Sequence, residues 1–322
     1  MAALGRRAGN GLILAKIPGV VWAFAAMIAF FGFEGRGFLS LYNFINIIKQ
    51  GSILAIAATG MTLAILSAGI DLSAGSVMSL SGVILGLLLH SGWSIPAAIL
   101  VALCVGLACG CVNGYLVAHL KIHHFIATYG MMGMAAGIPL ALTEGSVIPG
   151  FSQAFRFLGE GAVGGLPLLV IIAAAVFAVF HFTLTRTRWG AHLYAVGGSD
   201  QVARYSGVSA DRVRMSAYVL SSLLAAFAGV LAASRANSAS PIAGSGYEFD
   251  SIAAVIIGGT PFTGGRGGVA GTMLGVAMIT VLKNGLNIMG FAAPWQLAII
   301  GTMITLAITF DVMVNQRRKD RV

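Results

Sequence analysis

The sequence predicts an all-α polytopic membrane protein with about ten transmembrane helices, some of them short or broken, and with both termini in the cytoplasm. Three observations carry this prediction. Of the 322 residues, 58% are hydrophobic and only 9% are charged, and the mean hydropathy is +0.92. The 44 glycines suit membrane helices, in which small residues let two backbones approach closely. Lysine and arginine are distributed asymmetrically among the connections between apolar segments.

Most of the apolar segments contain the roughly 20 residues that a helix needs to cross a bilayer core. The predicted spans are 17–33, 43–68, 74–90, 96–118, 125–143, 166–184, 215–234, 251–260, 269–290 and 294–313. The segment 251–260 is short, because Gly258, Gly259 and Pro261 end it. A half-helix or re-entrant element packed within protein therefore fits this segment better than an independent span.

The basic residues orient the predicted helices. Ten crossings place both termini on one side of the membrane. If that side is the cytoplasm, 14 of the 19 lysines and arginines lie in cytoplasmic segments. Only Arg36, Arg156 and Arg235 lie outside, and Lys49 and Lys283 lie within spans. Positive residues concentrate on the cytoplasmic side of membrane proteins, so the asymmetry favours cytoplasmic termini. We predict that residues 1–322 form a single transmembrane domain.

The segment 185–214 is the one long polar connection between predicted spans. It holds five arginines and two aspartates: Arg186, Arg188, Arg204, Arg212, Arg214, Asp200 and Asp211. Two interpretations compete. The segment is either a solvated loop whose arginines fix the orientation of the chain, or a coupling element that receives force from a soluble partner.

A short helix is predicted in the middle of this segment. Gly197 and Gly198 break the chain, Ser199 can accept hydrogen bonds from the first free amides, and Asp200 complements the positive end of the helix dipole. Gly207 supplies the stop. A helix of about two turns does not persist alone in water, so we expect it to be stabilised by docking.

Few residues suggest catalysis or metal binding. His119 and His123 have the i, i+4 spacing of a metal pair, but no carboxylate or cysteine accompanies them, and we predict no metal site. The glycine-rich segment 260–268 lacks the lysine and hydroxyl of a phosphate-binding loop, so we expect no ATP hydrolysis on this chain. The net charge of +9 does not indicate nucleic-acid binding, because the chain has little soluble surface.

Asp71 lies in a polar break, 69–76, within an otherwise apolar run. An unpartnered carboxylate is costly inside a membrane, so we expect Asp71 to be partnered. It either caps a helix that begins near Leu72 and Ser73, or belongs to a transport pathway.

Two helices carry amides at helical spacing. Asn43, Asn46 and Gln50 share one face of the second span, and Asn284 and Asn287 repeat the spacing on the ninth. These amides either line a water-filled path for a neutral, hydroxyl-rich solute or form hydrogen bonds between helices.

At these residues the chain resembles a known family, the inner-membrane permeases of bacterial ATP-binding cassette (ABC) importers for ribose, xylose, arabinose, galactosides and the related autoinducer. The resemblance covers nearly the whole chain. It is carried by GIDLSAGS at 69–76, NGYLVAHLKIHHFIATYGMM at 113–132, HLYAVGGSDQVARYSGV at 192–208 and GGTPFTGGRGG at 258–268. His123 and His124 depart from the family, whose members often carry proline in that segment.

The resemblance implies a permease that moves a monosaccharide from periplasm to cytoplasm by alternating access. The implied partners are a periplasmic sugar-binding protein, a second permease copy that is identical or a close paralogue, membrane lipid, and a cytoplasmic subunit that binds ATP and Mg²⁺. This chain itself is expected to carry no cofactor. The segment 185–214 is similar to the family's coupling region, and the residues expected to serve there are Gly197, Gly198, Asp200, Arg204, Tyr205 and Gly207.

Three other functions stay open from the residues alone. A permease for branched-chain amino acids shares the hydropathy and the glycine-rich breaks. An ion-coupled secondary carrier needs ionisable groups near the middle of the bilayer, and Asp71 is the one candidate. An intramembrane enzyme would need paired catalytic groups, which the sequence does not offer.

Overall fold

The computed structural model describes residues 19–292, 294–302, 305 and 309, and it is almost entirely helical. Residues 294–302 are helical as well. The complete helices are α1 (Gly19–Glu34), α2 (Leu41–Leu66), α3 (Ala74–His90), α4 (Ile95–Ala118), α5 (His124–Thr143), α6 (Gln153–Glu160), α7 (Leu168–Arg186), α8 (Arg188–Gly198), α9 (Asp200–Tyr205), α10 (Ala210–Ala236), α11 (Tyr247–Ile257) and α12 (Val269–Ile288). Four two-residue strands are β1 (Ile148–Pro149), β2 (Ala162–Val163), β3 (Leu166–Pro167) and β4 (Ser238–Ala239).

Each of the predicted spans coincides with a helical segment, which confirms the helical class of the protein. Among the described residues, α2, α4, α5, α7, α10 and α12 are long and apolar enough to cross a membrane, and α1 and α3 are shorter apolar helices. The first predicted span begins before residue 19 and the last ends after residue 309, so parts of both lie outside the described residues.

Local sequence explains where several helices begin and end. The Ser40 hydroxyl accepts a hydrogen bond from the Asn43 amide at 3.2 Å and so caps α2. Pro96 lies in the first turn of α4, where a missing N–H costs nothing. Helix α10 ends at Asn237, whose φ of 52° is left-handed, a conformation that asparagine tolerates better than most residues.

Helices α4 and α10 pack closely through glycines spaced four residues apart. A Cβ atom on Gly106 would lie 2.3 Å from the Ala226 Cβ, and one on Gly110 would lie 2.7 Å from the Val219 Cα. Helices α2, α10 and α12 are mostly buried, whereas most residues of α4, α5 and α7 are exposed or partly exposed. The exposed helices are apolar, as expected for surfaces that face lipid.

Helix α11 confirms the prediction of a short, packed element in place of an independent span, but the predicted bounds of 251–260 were displaced. The helix begins four residues earlier, at Tyr247, and its first turn carries the buried acidic residues Glu248 and Asp250. Its 11 residues extend only about 16 Å, too short for a bilayer core. The glycine-rich connection after it turns back into the protein.

Two groups of connections lie at opposite ends of the helices. At one end, which we call the α9 face, the α4–α5 connection meets the start of α10 through Lys121 and Asp211, and the Gly265 amide bonds to the Leu66 carbonyl. At the other end, which we call the β face, β1 pairs with β4 and β2 pairs with β3, both antiparallel.

Candidate functional site

The polar segment 185–214 folds into two helices and the first turn of a third on the α9 face. The sequence analysis predicted only the middle helix and missed α8. Helix α8 begins where the Thr187 side chain accepts a hydrogen bond from the Gly190 amide at 3.3 Å. Its buried residues Leu193 and Val196 pack with the end of α2. The Trp189 indole donates to the Ser216 hydroxyl at 2.8 Å and ties α8 to α10.

Gly197 is the point at which α8 touches the body of the protein. A Cβ atom there would lie 1.8 Å from the Leu66 carbonyl oxygen and 2.6 Å from the Gly265 amide nitrogen. The neighbouring Gly198 has no other atom within 4 Å of such a Cβ. Close approach therefore requires glycine at 197, whereas position 198 has open space.

Tyr194 fixes α8 to the glycine-rich connection between α11 and α12. Its hydroxyl donates to the Gly267 carbonyl at 2.8 Å. Burial raises the pKa of Tyr194, so the hydroxyl keeps the proton that this hydrogen bond needs.

Helix α9 confirms the predicted short helix. The Ser199 side chain accepts from the Val202 amide at 3.4 Å, and Asp200 occupies the first turn. The chain turns at Gly207, whose φ of 81° favours glycine. The Gly207 amide bonds to the Arg204 carbonyl at 3.0 Å and closes the helix end.

A chain of ion pairs docks α9 against α10 and against the α4–α5 connection. The Arg204 Nε donates to Asp200 at 2.6 Å, and the Arg204 Nη1 donates to Asp211 at 3.2 Å. Asp211 also pairs with Lys121, and Asp200 lies 3.0 Å from the Arg214 guanidinium. Partial burial alone would raise the pKa of Asp200, but the hydrogen bond from Arg204 and the charge of Arg214 hold it below its usual range.

The outer surface of α9 is apolar where a helix exposed to water would be polar. Tyr205 is 88% exposed and Val202 is 62% exposed, while Ala203 faces inward. The ion pairs hold these two side chains outward on a rigid support, which suits contact with another protein.

Asn43 and Asn284, predicted as pathway residues, bond to each other across α2 and α12. The Asn43 Nδ2 donates to the Asn284 Oδ1 at 2.9 Å, and the Asn284 Nδ2 donates to the Asn43 Oδ1 at 2.8 Å. Both side chains are buried. This arrangement corresponds to the interhelical alternative stated for these amides.

The other three predicted amides lie closer to the surface. Asn46 accepts from the Arg235 guanidinium at 2.7 Å, and the Asn287 Oδ1 accepts from the Gln296 side chain at 2.7 Å. Gln50 is partly exposed on α2. The structure therefore separates the five amides into one buried pair, two residues near the β face, and Gln50, which lies about 13 Å further along α2 from Leu41.

Asp71 is fully buried and is partnered, as predicted. Its Oδ1 accepts from the Ser73 amide at 3.1 Å and from the Ser73 hydroxyl at 2.6 Å. Its Oδ2 accepts from the hydroxyls of Ser221 at 2.9 Å and Ser222 at 3.3 Å on α10. The Asn113 amide of α4 adds a bond to the Ser73 hydroxyl at 2.9 Å. Asp71 thus organises the turn before α3, but it does not cap the helix itself, because α3 begins at Ala74 and its N-cap is Ser73.

Two further buried carboxylates were missed by the sequence analysis, which named Asp71 as the one candidate ionisable group near mid-membrane. Asp250 accepts from the Lys283 ammonium at 2.5 Å and is 3% exposed. Glu248 is buried, and its Oε2 has no hydrogen-bond partner in the described residues. A signal for them was present in the sequence. Glu248 and Asp250 directly precede the short apolar segment that begins at Ser251, so a helix extended backwards by one turn would have carried both carboxylates into the protein.

The described residues contain no group of three or more histidine, cysteine or carboxylate side chains arranged to hold a metal. The His123 and His124 rings lie 4.3 Å apart, and His119 stacks on Tyr115.

The fold and the site define a multi-pass helical membrane protein with a short helix that exposes apolar side chains on one face. The chain belongs to the family described as "Branched-chain amino acid transport system / permease component", whose model matches residues 43–308. This membership makes it a multi-pass protein of the bacterial inner membrane.

Several named relatives match almost end to end. The chain is 38% identical to the ribose import permease protein RbsC of Escherichia coli K12 over 90% of this chain and 91% of the relative. It is 35% identical to the D-allose transport system permease protein AlsC of the same organism, over 92% of each chain. It is 34% identical to the fructose import permease protein FrcC of Rhizobium meliloti, over 94% of this chain and 86% of the relative. No solved structure matches the chain.

Proposed function

We propose that this chain is the membrane-spanning subunit of an ABC importer that carries a monosaccharide, a pentose, a hexose or a related polyol-like solute, from periplasm to cytoplasm. The observation that carries the proposal is the near full-length match to permeases named for ribose, allose and fructose. Such coverage supports the same kind of subunit with the same arrangement of spans.

The proposed topology has ten crossings with both termini in the cytoplasm, and in one of them the short helix α11 crosses together with the connections that flank it. The ten helical segments support it, because successive connections alternate between the α9 face and the β face. The basic residues support cytoplasmic exposure of the α9 face, which carries the arginines of segment 185–214. The β face is then periplasmic, where the sugar-binding protein would deliver solute.

Helix α9 is the proposed contact with a cytoplasmic ATP-binding subunit, which would hold ATP and Mg²⁺. Tyr205 and Val202 supply the exposed apolar surface, and Arg204 with Asp200 keeps it rigid. Gly197 lets α8 approach the end of α2, and Gly207 adopts the left-handed conformation of the turn that ends α9.

Motion of α9 is proposed to reach the membrane through α10 and α4. Arg204 and Asp211 join α9 to α10, and Lys121 joins the end of α4 to the same carboxylate. Helices α4 and α10 pack closely, so we propose that they move together as one rigid unit. Their motion then reaches the turn between α2 and α3, which Asp71 holds against both helices.

The solute pathway is proposed to run between two permease copies. A cavity between α1, α2, α7 and α12 has apolar walls, which do not suit a hydroxyl-rich solute. Asn287 is exposed and Asn46 and Gln50 are partly exposed, so a second copy or a solute could reach these amides.

A branched-chain amino acid is the second candidate solute, because the description of the matching family names that substrate class. Binding of labelled sugars and amino acids by the cognate periplasmic protein separates the two solutes.

The experiment that tests the function is purification of the tagged chain from its host, followed by reconstitution of what copurifies in vesicles. We expect a stoichiometric ATP-binding subunit and ATP-dependent uptake of a monosaccharide. Tyr205→Ala should remove most of the copurifying subunit, whereas Tyr42→Ala, an equally exposed tyrosine on the β face, should not. A chain that purifies alone and moves solute without ATP would contradict the proposal.

A further inference from the structure

An apolar cavity of about 870 Å³ lies between α1, α2, α7 and α12. Its walls include Phe24 and Ile28 of α1, Phe44 of α2 and Phe177 of α7. A dry void of this volume would cost more than the net stability of an ordinary domain. Its walls are almost entirely apolar, so they give water fewer partners than a buried water needs. The cavity is therefore a place for hydrocarbon.

The cavity opens toward the bilayer. Helix α1 packs on α12, but among the described helices it forms no comparable pair with α7, so a gap remains between α1 and α7. Both helices expose apolar side chains on their outer surfaces, such as Trp22 and Val179. Lipid chains in the membrane therefore reach the opening directly.

The dimensions of the cavity match one leaflet. Its lining residues on α2 extend from Leu41 at the β face to Ala55. These two positions are about 21 Å apart along the helix axis. The hydrocarbon core is about 30 Å thick, so a cavity that starts at the β-face boundary reaches about 6 Å past the bilayer midplane and is deep enough to hold one whole acyl chain.

Two polar features give the cavity an orientation. Arg36 is exposed in the connection between α1 and α2, two residues from the lining residue Phe38, and a lipid phosphate at the rim would meet its charge. On the cavity wall, Thr280 is 3% exposed, and its hydroxyl has no hydrogen-bond partner among the described residues. Other helical threonines, such as Thr59, donate to the carbonyl four residues earlier.

We infer that this cavity binds an acyl chain of a membrane phospholipid from the β-face leaflet, with the phosphate of that lipid beside Arg36. The bound chain acts as a packing element between α1 and the body of the protein, because α1 has little other support. The site is separate from the proposed coupling surface on the α9 face.

The test counts phospholipid per chain after the protein is exchanged extensively into detergent, extracted and quantified. We expect the natural sequence to retain at least one phospholipid per chain. Ala173→Phe fills the cavity from α7 and should lower the retained lipid several-fold. Ala178→Phe makes the same change on the outer surface of α7 and should leave the count unchanged.

Further variants keep the inference falsifiable. Ala277→Phe fills the cavity from α12 and replaces Ala173→Phe if that variant does not fold. Arg36→Gln should lower lipid retention without closing the cavity. Equal lipid in the natural protein and in both filled variants would overturn the inference. So would cross-linking of two chains through a cysteine at Ala174, because a second copy would then occupy the cavity. None of these measurements depends on transport.

Discussion

The carboxylate of Asp71 lies 2.9 Å from the hydroxyl of Ser221, 150 positions later in the chain. Together with Ser222 and with Ser73, which Asn113 also contacts, this bond joins the start of α3 to α10 and α4. A carboxyl group without exposure persists in the membrane because four donors surround its oxygens.

Replacing Asp71 tests how much these hydrogen bonds stabilise the fold. Asp71→Ala leaves the hydroxyls of Ser221 and Ser73 without their acceptor, and we expect a loss of about 3 kcal/mol. Asp71→Asn keeps one acceptor oxygen and the shape of the side chain, so its loss should be smaller. Thermal unfolding of the purified protein in detergent measures both changes.

Ser91→Ala is the matched control, because the Ser91 hydroxyl is exposed and bonds only within its own helix end. Equal melting temperatures for Asp71→Ala and the natural protein would show that the buried carboxylate does not organise this turn.

Adjacent glycines at the end of α8 provide a second prediction. Gly197→Ala places a methyl group against the Leu66 carbonyl and should displace α8 from α2, whereas Gly198→Ala meets open space. We expect Gly197→Ala to lower both thermal stability and copurification of the ATP-binding subunit. Gly198→Ala should retain the stability of the natural protein, because alanine favours helix over glycine by about 1 kcal/mol. Equal behaviour of the two variants would argue against the close approach at Gly197.

The amide pair between Asn43 and Asn284 distinguishes the two roles stated for these residues. If the pair serves only to join α2 and α12, each single change to leucine leaves one buried amide unpaired and should cost about 1–2 kcal/mol. The double change should then restore most of the loss, since no amide is left without a partner.

Solute uptake by the same variants measures the other role. Contact with solute would raise the KM of the stable double variant, whereas a joining role leaves KM near that of the natural protein. We expect the second result, because the two amides satisfy each other.

The sequence predicted the helical segments well because each depends on a long local run of apolar residues, a signal that needs no knowledge of neighbours. Helix α9 was also predictable, since Ser199 and Gly207 mark its ends within the chain itself. Helix α8 was missed although its buried residues Gly190, Leu193, Val196 and Gly197 recur at helical spacing, because the sequence analysis took Gly197 and Gly198 as a break and expected only one short helix after them. The stability of α8 comes from contact with α2 at Gly197, which is distant in sequence.

Partners of polar side chains were beyond the reach of the sequence for the same reason. The amides on α2 and α12 showed a shared helix face, but the bond between Asn43 and Asn284 depends on how the two helices pack. Asp250 and Lys283 lie on separate helices, 33 positions apart, so no local pattern joined them.

The ion pair between Lys283 and Asp250 gives the last prediction. Asp250 is 3% exposed, so removal of its cation leaves a buried charge without a partner. We expect Lys283→Met to destabilise the protein by about 3–5 kcal/mol. Asp250→Asn in the same chain removes the orphan charge and should recover much of that loss, because a neutral amide is far cheaper to bury. Unfolding of the two single variants and the double variant in one detergent measures the coupling. Strictly additive losses would mean that the two groups stabilise the protein independently, and that the short helix α11 is held in place by its apolar packing alone.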